Sequence, residues 1–194
     1  MISVEKLLKR VAQALVDDEF VLFDRSFHIN SLNDGLSAIA MVQPQITSQT
    51  KDINLVAGQW KVNLPADGFK LLSVNHCGGY GIEPVGLEQL NHLHPDWRRQ
   101  TDERPENWIV NPNDEKSFFV FPAPESAVSI EIDYSRNMSV SDETESIDIN
   151  EMYEQLLFDF MMYRAYSRDG QAEAQQAKAA SHFQVFQSML GVKQ

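Results

Sequence analysis

Only one of the 194 residues is a cysteine, Cys77, so no intrachain disulfide is available and stability must come from packing and from assembly. That usage fits a chain folded in a reducing cytosol. Basic residues are scarce: 16 lysines and arginines stand against 28 aspartates and glutamates, a formal net charge of −12. This balance excludes a protein that neutralises nucleic-acid phosphates over a broad surface, yet it suits a wall that DNA must pass without sticking. Long apolar runs are missing too. No segment has the length needed to span a bilayer, and the opening MISVEKLLKRVAQ carries polar residues at every turn where a signal peptide has an apolar core. A soluble protein made inside a cell is the expectation, and 43% hydrophobic content is enough for it to bury a core.

Catalytic signatures are equally sparse. The sequence holds no G-x-S-x-G elbow and no H-E-x-x-H. Gly78-Gly79-Tyr80-Gly81 lacks the lysine and hydroxyl of a phosphate loop and reads as a β-turn. His92-Leu93-His94, if extended, would set two imidazoles on one face, with His76 and Cys77 as further ligands, but the spacing matches no standard zinc motif. These histidines read as surface or loop residues and Cys77 as a small buried thiol. Asp142, Glu143 and Glu145 lie in a polar connector, where solvated charge is the default. The expectation is therefore no catalytic residue, no metal and no cofactor.

What is present is organised around residues 148–170, DINEMYEQLLFDFMMYRAYSRDG. At helical spacing Ile149, Met152, Tyr153, Leu156, Leu157 and Phe160 share one face, and Phe158, Met161, Met162 and Ala165 its neighbour. Only Glu151, Gln155 and Asp159 mark a polar strip, so other elements must cover this helix on most sides. Asp148 is the expected cap, with Ile147 stapled on Met152, and Asp169-Gly170 the expected stop. Near that stop, Tyr163, Arg164, Tyr166 and Arg168 concentrate aromatic surface and positive charge on an acidic chain. They read either as anchors of a protein interface or as tyrosines packed in the core beside arginines paired with nearby carboxylates.

The remaining pattern predicts an amphipathic helix after Ser3 through Val4, Leu7, Leu8, Val11 and Leu15, and a second helix over 26–41 that stops before Pro44. Gly35 inside the second costs about 1 kcal/mol relative to alanine, and close approach of a neighbour is one reason for it. From residue 46 short strands are expected: a hairpin of 53–57 with 60–64, then 71–75, 82–85, 107–111, 118–121 and 128–134, with a short helix over 86–93 and a loop over 94–106. An exposed link over 135–146 and a last helix over 171–190 complete the chain. The class is α+β: a helical bundle from both chain ends (1–45 and 147–194) with an inserted antiparallel β-rich subdomain (46–146).

Ser31-Leu32-Asn33-Asp34 in the first helix pair, LVAGQWKVNLP at 55–65, FFVFPAP at 118–124 and YRAYSRDG at 163–170 before an Ala/Gln-rich helix together resemble the head-to-tail adaptor (connector) proteins of tailed bacteriophages. The stretch 75–79 and the acidic link 141–146 lie outside that pattern. The resemblance implies a non-enzymatic virion protein made in the host cytoplasm. Its subunits would form a homo-oligomeric ring, a dodecamer, beneath the portal protein, offer a docking surface to the tail nozzle or tail tube, and surround a DNA exit channel without binding DNA specifically or touching a membrane. It further implies docking through the last helix, at Phe186, Met189 and Leu190. Rival readings are a small soluble enzyme with its site in the glycine- and histidine-containing middle, and another phage part such as a head-completion or tail-terminator subunit.

Overall fold

The computed structural model describes residues 1–168 and 172–191. The Asp169-Gly170 stop, Gln171 and the last three positions therefore lie outside the described residues. The fold is α+β, and the chain divides into two compact units, one from residues 1–47 and 137–194, the other from 48–136.

In the helical unit the chain enters as β1 (Ile2–Ser3) and α1 (Val4–Leu15). Ser3 Oγ accepts the Lys6 amide at 3.4 Å, and Val4, Leu7, Leu8 and Val11 are wholly buried, as their spacing predicts. Val16 ends the helix in a left-handed conformation (φ 58°), unusual for a β-branched residue. Asp24 then caps α2 (Arg25–Val42), accepting the Phe27 amide at 2.7 Å. Gly35 has the neighbour expected of it: a Cβ there would lie 3.0 Å from Phe160 Cδ1 and 3.5 Å from Leu157 Cδ2. The helix ends ahead of Pro44, which begins a 3-10 turn, Pro44–Thr47.

The second unit begins with β2 (Ser48–Leu55), β3 (Lys61–Asn63), β4 (Gly68–Cys77), β5 (Tyr80–Gly81), β6 (Glu83–Pro84) and α3 (Leu87–Leu93), followed by a 3-10 turn at Trp97–Arg99. Then come β7 (Thr101–Asp102), β8 (Asn107–Val110), β9 (Ser117–Phe121), β10 (Ala123–Pro124) and β11 (Val128–Arg136). One sheet runs β2-β11-β4-β5 and another β3-β9-β8-β6. The expected 53–57/60–64 hairpin is not formed. Gly58 (φ 74°) does sit in a tight turn, with the Gln59 amide on the Val56 carbonyl at 3.1 Å, but β2 pairs with β11 and β3 with β9, so the turn passes the chain between sheets. The unit is not purely antiparallel either, since β6–β8 and β7–β10 are short parallel pairs.

Burial explains the FFVF run. Phe118 and Val120 join Leu55, Val62, Val74, Ile130, Ile132 and Tyr134 in the core between the sheets. Phe119 and Phe121 face the other way, onto Leu90 and Trp97 of α3 and its succeeding turn. A strand covered on both faces loses the apolar/polar alternation of a half-exposed one. The stretch 94–106, expected as plain loop, contains the fully buried Trp97, whose Nε1 donates to Asn91 Oδ1 at 2.8 Å.

The chain then rejoins the helices, and the link expected to be exposed is tied down from residue 137 onward. Asn33 holds Val140 reciprocally, its Nδ2 donating to the Val140 carbonyl at 3.0 Å and its Oδ1 accepting the Val140 amide at 2.9 Å. β12 (Ser146–Ile147) pairs antiparallel with β1. The cap is Asn150 rather than Asp148: its side chain accepts the Met152 amide at 3.0 Å at the head of a 3-10 turn (Glu151–Tyr153) that runs into α4 (Glu154–Arg168). Met152 is exposed and staples nothing. The final helix, α5 (Glu173–Met189), packs antiparallel on α4, with Tyr166 stacked on His182 and Phe160 against Phe186. α5 also closes over the supposed polar strip: Asp159 is 3% exposed, bonded by Gln155 Nε2 at 2.7 Å and His182 Nδ1 at 2.8 Å. Leu156, Leu157, Phe160, Met161 and Met162 thus share one core with Leu7, Leu8, Leu32, Leu36 and Ile39 from the other end of the chain.

Candidate docking interface

Two turns at the end of α4 present Arg164 and Arg168 on the same side, and the start of α2 faces them. Together Phe27, Tyr163, Arg164, Ser167 and Arg168 line an open cleft of about 430 Å³. Arg164 Nη2 lies 3.0 Å from Asp34 Oδ2, and the Arg168 guanidinium stands 4.8 Å from the Phe27 ring centre and 5.9 Å from that of Phe23. Both arginines remain exposed. A guanidinium stacked over an aromatic face keeps its N–H fork in its own plane, parallel to the ring, and open to an incoming carboxylate.

The loop between α1 and α2 adjoins this cleft through Phe23, which packs on Phe27 of α2, and one buried carboxylate shapes it. Asp17 accepts the amides of Val21 (2.7 Å), Leu22 (3.1 Å) and Phe23 (2.9 Å). Burial alone would push its carboxyl up, but the amides of Phe23, Leu22 and Val21 outweigh this and hold it below the usual range. The loop so fixed turns Phe23 inward and leaves Val21 and Leu22 80% and 69% exposed. Arg25 covers the Phe20 ring at 4.3 Å and pairs with Glu143. Beneath the loop His28 is wholly buried among Phe20, Phe23 and Phe27, and neither ring nitrogen has a hydrogen-bond partner. Burial lowers its pKa, against the pull of Asp17 and Asp24.

The residues expected at an interface divide by burial. Arg164, Arg168 and Met189 are exposed. Tyr163 and Tyr166 are half-buried, their rings engaged with Phe183 (4.6 Å) and His182 (5.8 Å) across the α4–α5 seam. Phe186 and Leu190 are 4% and 3% exposed, and the Leu190 carbonyl accepts from Gln43 Nε2, so these two hold the core together. Asp17, Phe27 and His28 are not singled out by sequence reasoning, and Asn33 enters it only within the Ser31–Asp34 motif, not as a clamp. Four apolar residues, Phe20–Phe23, inside a stretch bounded by acids were the available signal.

The middle of the chain assembles no reactive set among the described residues. Cys77 is wholly buried, and burial raises its thiol pKa, which favours the inert form. His92 and His94 are not in an extended segment: His92 lies in α3, and His94 ends it, its ring 5.0 Å from that of Phe121. His76 stands apart on β4, 3.4 Å from Glu131. No group of three or more His, Cys, Asp or Glu side chains is placed to hold a metal, and no helix is long and apolar enough to cross a membrane, both among the described residues.

No curated protein matches the sequence. A family model does, described as SU10 adaptor protein and matching residues 2–194. With a match over nearly the whole chain, the chain belongs to the SU10 adaptor protein family, a bacteriophage structural family.

Proposed function

We propose that the protein is a ring-forming head-to-tail adaptor of the virion, docked beneath the portal protein, receiving the tail nozzle or tail tube and surrounding the path of the DNA. The family match over residues 2–194 carries this reading. The net charge of −12 supports a passage that repels DNA, and it also means that copies packed side by side repel one another unless a partner or buried interface residues offset the repulsion. The proposed ring is a dodecamer, as the family resemblance implies. The exposed cations of the cleft, Arg164 and Arg168, with Tyr163 beneath them, are the proposed contact for an acidic segment of the portal.

The test mixes full-length protein with purified portal rings and follows co-sedimentation and electron microscopy. Rings of adaptor capping the portal are expected. The Arg164→Glu/Arg168→Glu variant should stay folded and lose about tenfold or more in affinity, since each exposed charge reversal at a contact removes an attraction and adds a repulsion. Full-affinity binding by that variant moves the docking surface elsewhere, and the absence of any portal complex overturns the adaptor reading.

A further inference from the structure

The sheet β2-β11-β4-β5 has two unpaired edges among the described residues. β2 is eight residues long, pairs only with β11, and runs beside it over eight consecutive pairs without a register shift. Its outer edge carries the charges of Lys51 and Asp52 but no proline or bulge, and only Leu55 of the strand is buried. At the opposite side of the sheet β4 meets β5 only at His76 and Cys77, so its edge from Gly68 to Asn75 is also open. An unshielded edge of this length is a template for another strand.

We infer that the β2 edge of one subunit pairs in parallel with the β4 edge of the next copy of this chain, joining subunits into a continuous sheet. This rests on the proposed ring and deepens it. Strand direction supplies the geometry. β2 and β4 are each antiparallel to β11, hence parallel to each other. A rotation about an axis along the strands therefore brings the next β2 beside β4 in the same direction and on the same face, a head-to-tail contact that repeats and closes into a ring. The ladder between β4 and β11 has register shifts at three places, and bulges of this kind curve a sheet, as closure requires.

Charge disfavours the two-fold pairing of β2 with its own copy. In a two-fold antiparallel pair a strand sets each central residue opposite its own copy, so β2 on β2 over most of its length centres on Lys51 or on Asp52. Either choice faces like charges directly. The parallel pair does the opposite. With residues 48–55 beside 68–75, Lys51 lies next to Leu71, which together with Lys70, Val110 and Glu115 lines a cleft of about 240 Å³ beside the β4 edge. Glu115 is exposed there, its ion pair with Lys70 a long one at 3.9 Å, and Lys51 makes no ion pair among the described residues, so Lys51 gives this carboxylate a second cation and gains a partner of its own.

The opposite face of the sheet explains what such a ring would present. Asp133 Oδ1 accepts Thr50 Oγ1 at 2.5 Å, and its Oδ2 accepts Ser73 Oγ at 2.9 Å and Asn75 Nδ2 at 3.1 Å. Asn75 also donates to Glu131 at 3.0 Å, and Asp52 accepts Ser129 Oγ at 3.3 Å. The Thr50 hydroxyl, then burial in the opposite sense, then Asn75 and Ser73 set the Asp133 carboxyl below its usual range. Edge pairing would continue this carboxylate-bearing face from copy to copy around the circle, a surface that repels phosphate.

The same register places Thr50 beside Lys70. Full-length Thr50→Cys/Lys70→Cys protein, assembled with portal rings and oxidised, should give a ladder of disulfide-linked multimers on non-reducing gels, with buried Cys77 silent. Lys51→Glu should raise the concentration for half-assembly about tenfold, and adding Glu115→Lys should restore it to within about threefold. Rings seen by electron microscopy with no cross-linked ladder and no effect of Lys51→Glu would overturn edge pairing while leaving the ring intact. Cross-linked dimers that never extend, or cysteines captured by the portal, would overturn it equally. A chain that binds portal without forming any ring refutes the ring reading, and edge pairing falls with it.

Discussion

Gly35 and Phe160 provide a test of the shared core in which the sign of an effect changes. Replacing an exposed mid-helix glycine by alanine stabilises by about 1 kcal/mol, because alanine loses less backbone freedom on folding. At Gly35 the added methyl would stand 3.0 Å from Phe160 Cδ1, 3.4 Å from Cγ and 3.5 Å from Leu157 Cδ2. The ring cannot easily yield, since it is buried and fixed against Phe186, 4.9 Å between centroids, and Tyr163 at 5.8 Å. Overpacking a filled core costs about 1–3 kcal/mol, so Gly35→Ala should be destabilising by about 0–2 kcal/mol in the native sequence. With Phe160→Leu already in place the obstruction is gone, and the same substitution should stabilise by about 1 kcal/mol. The double-mutant cycle should therefore return a coupling of about 1–3 kcal/mol. Urea unfolding followed by circular dichroism at the helix band, on all four proteins, measures it. If Gly35→Ala stabilises both backgrounds equally, α2 and α4 do not approach as closely as the structure has them.

Phe160→Ala empties a larger volume and should cost about 3–5 kcal/mol in the same assay. Asn33→Ala removes both bonds to Val140 and should cost about 1–3 kcal/mol, with faster amide exchange at Val140; protection unchanged there means the clamp contributes nothing. His28 binds a proton more weakly folded than unfolded, so its neutral form contributes stability above the unfolded value near ~6.5 that is lost as pH falls below it; His28→Leu should flatten melting temperature against pH in that window. Asp17 has the same sign at lower pH: its lowered folded pKa keeps the loop stabilised above the ordinary carboxylate value near ~3.9 and loses that contribution as pH falls through the folded one. Asp17→Asn should accordingly raise hydrogen exchange at Val21, Leu22 and Phe23 at neutral pH, and unaltered exchange would show that the loop holds itself.

The elements that were legible in the sequence are those whose cause is local. Ser3 and the 4-7-8-11 spacing suffice for α1, and Asn107–Phe121 contains both strands and the turn of the β8–β9 pair. Failures came where the deciding partner is distant. LVAGQWKV carries the marks of a hairpin, yet each of its strands finds a better neighbour far along the chain, β11 for β2 and β9 for β3. Asp159 reads as solvent-facing from its own helix because nothing within that helix reveals that His182 of α5 will close over it. Asp148 and Asn150 both fit a cap by type, and the choice between them is set by where β12 ends by pairing with β1.

The candidate site divides along the same line. Arginines at the end of a helix on an acidic chain are visible in one dimension, and Arg164 and Arg168 do reach the surface. Apolar residues on the last helix are not so easily sorted, because Phe186, Met189 and Leu190 differ only in angle about α5. Phe186 and Leu190 point into the core with Phe160 and Leu36, whereas Met189 points out. A free strand edge is further still from sequence, since it is defined by what does not pair. SQTKDINL is an ordinary strand segment whose meaning appears only when β11 occupies one side of it and, among the described residues, nothing occupies the other. For an adaptor this matters functionally, because surfaces that bind copies of the same chain need little chemistry of their own. In the proposed edge pairing backbone hydrogen bonds would supply the attraction, and a lysine and a glutamate, Lys51 and Glu115, would choose the partner edge and its register.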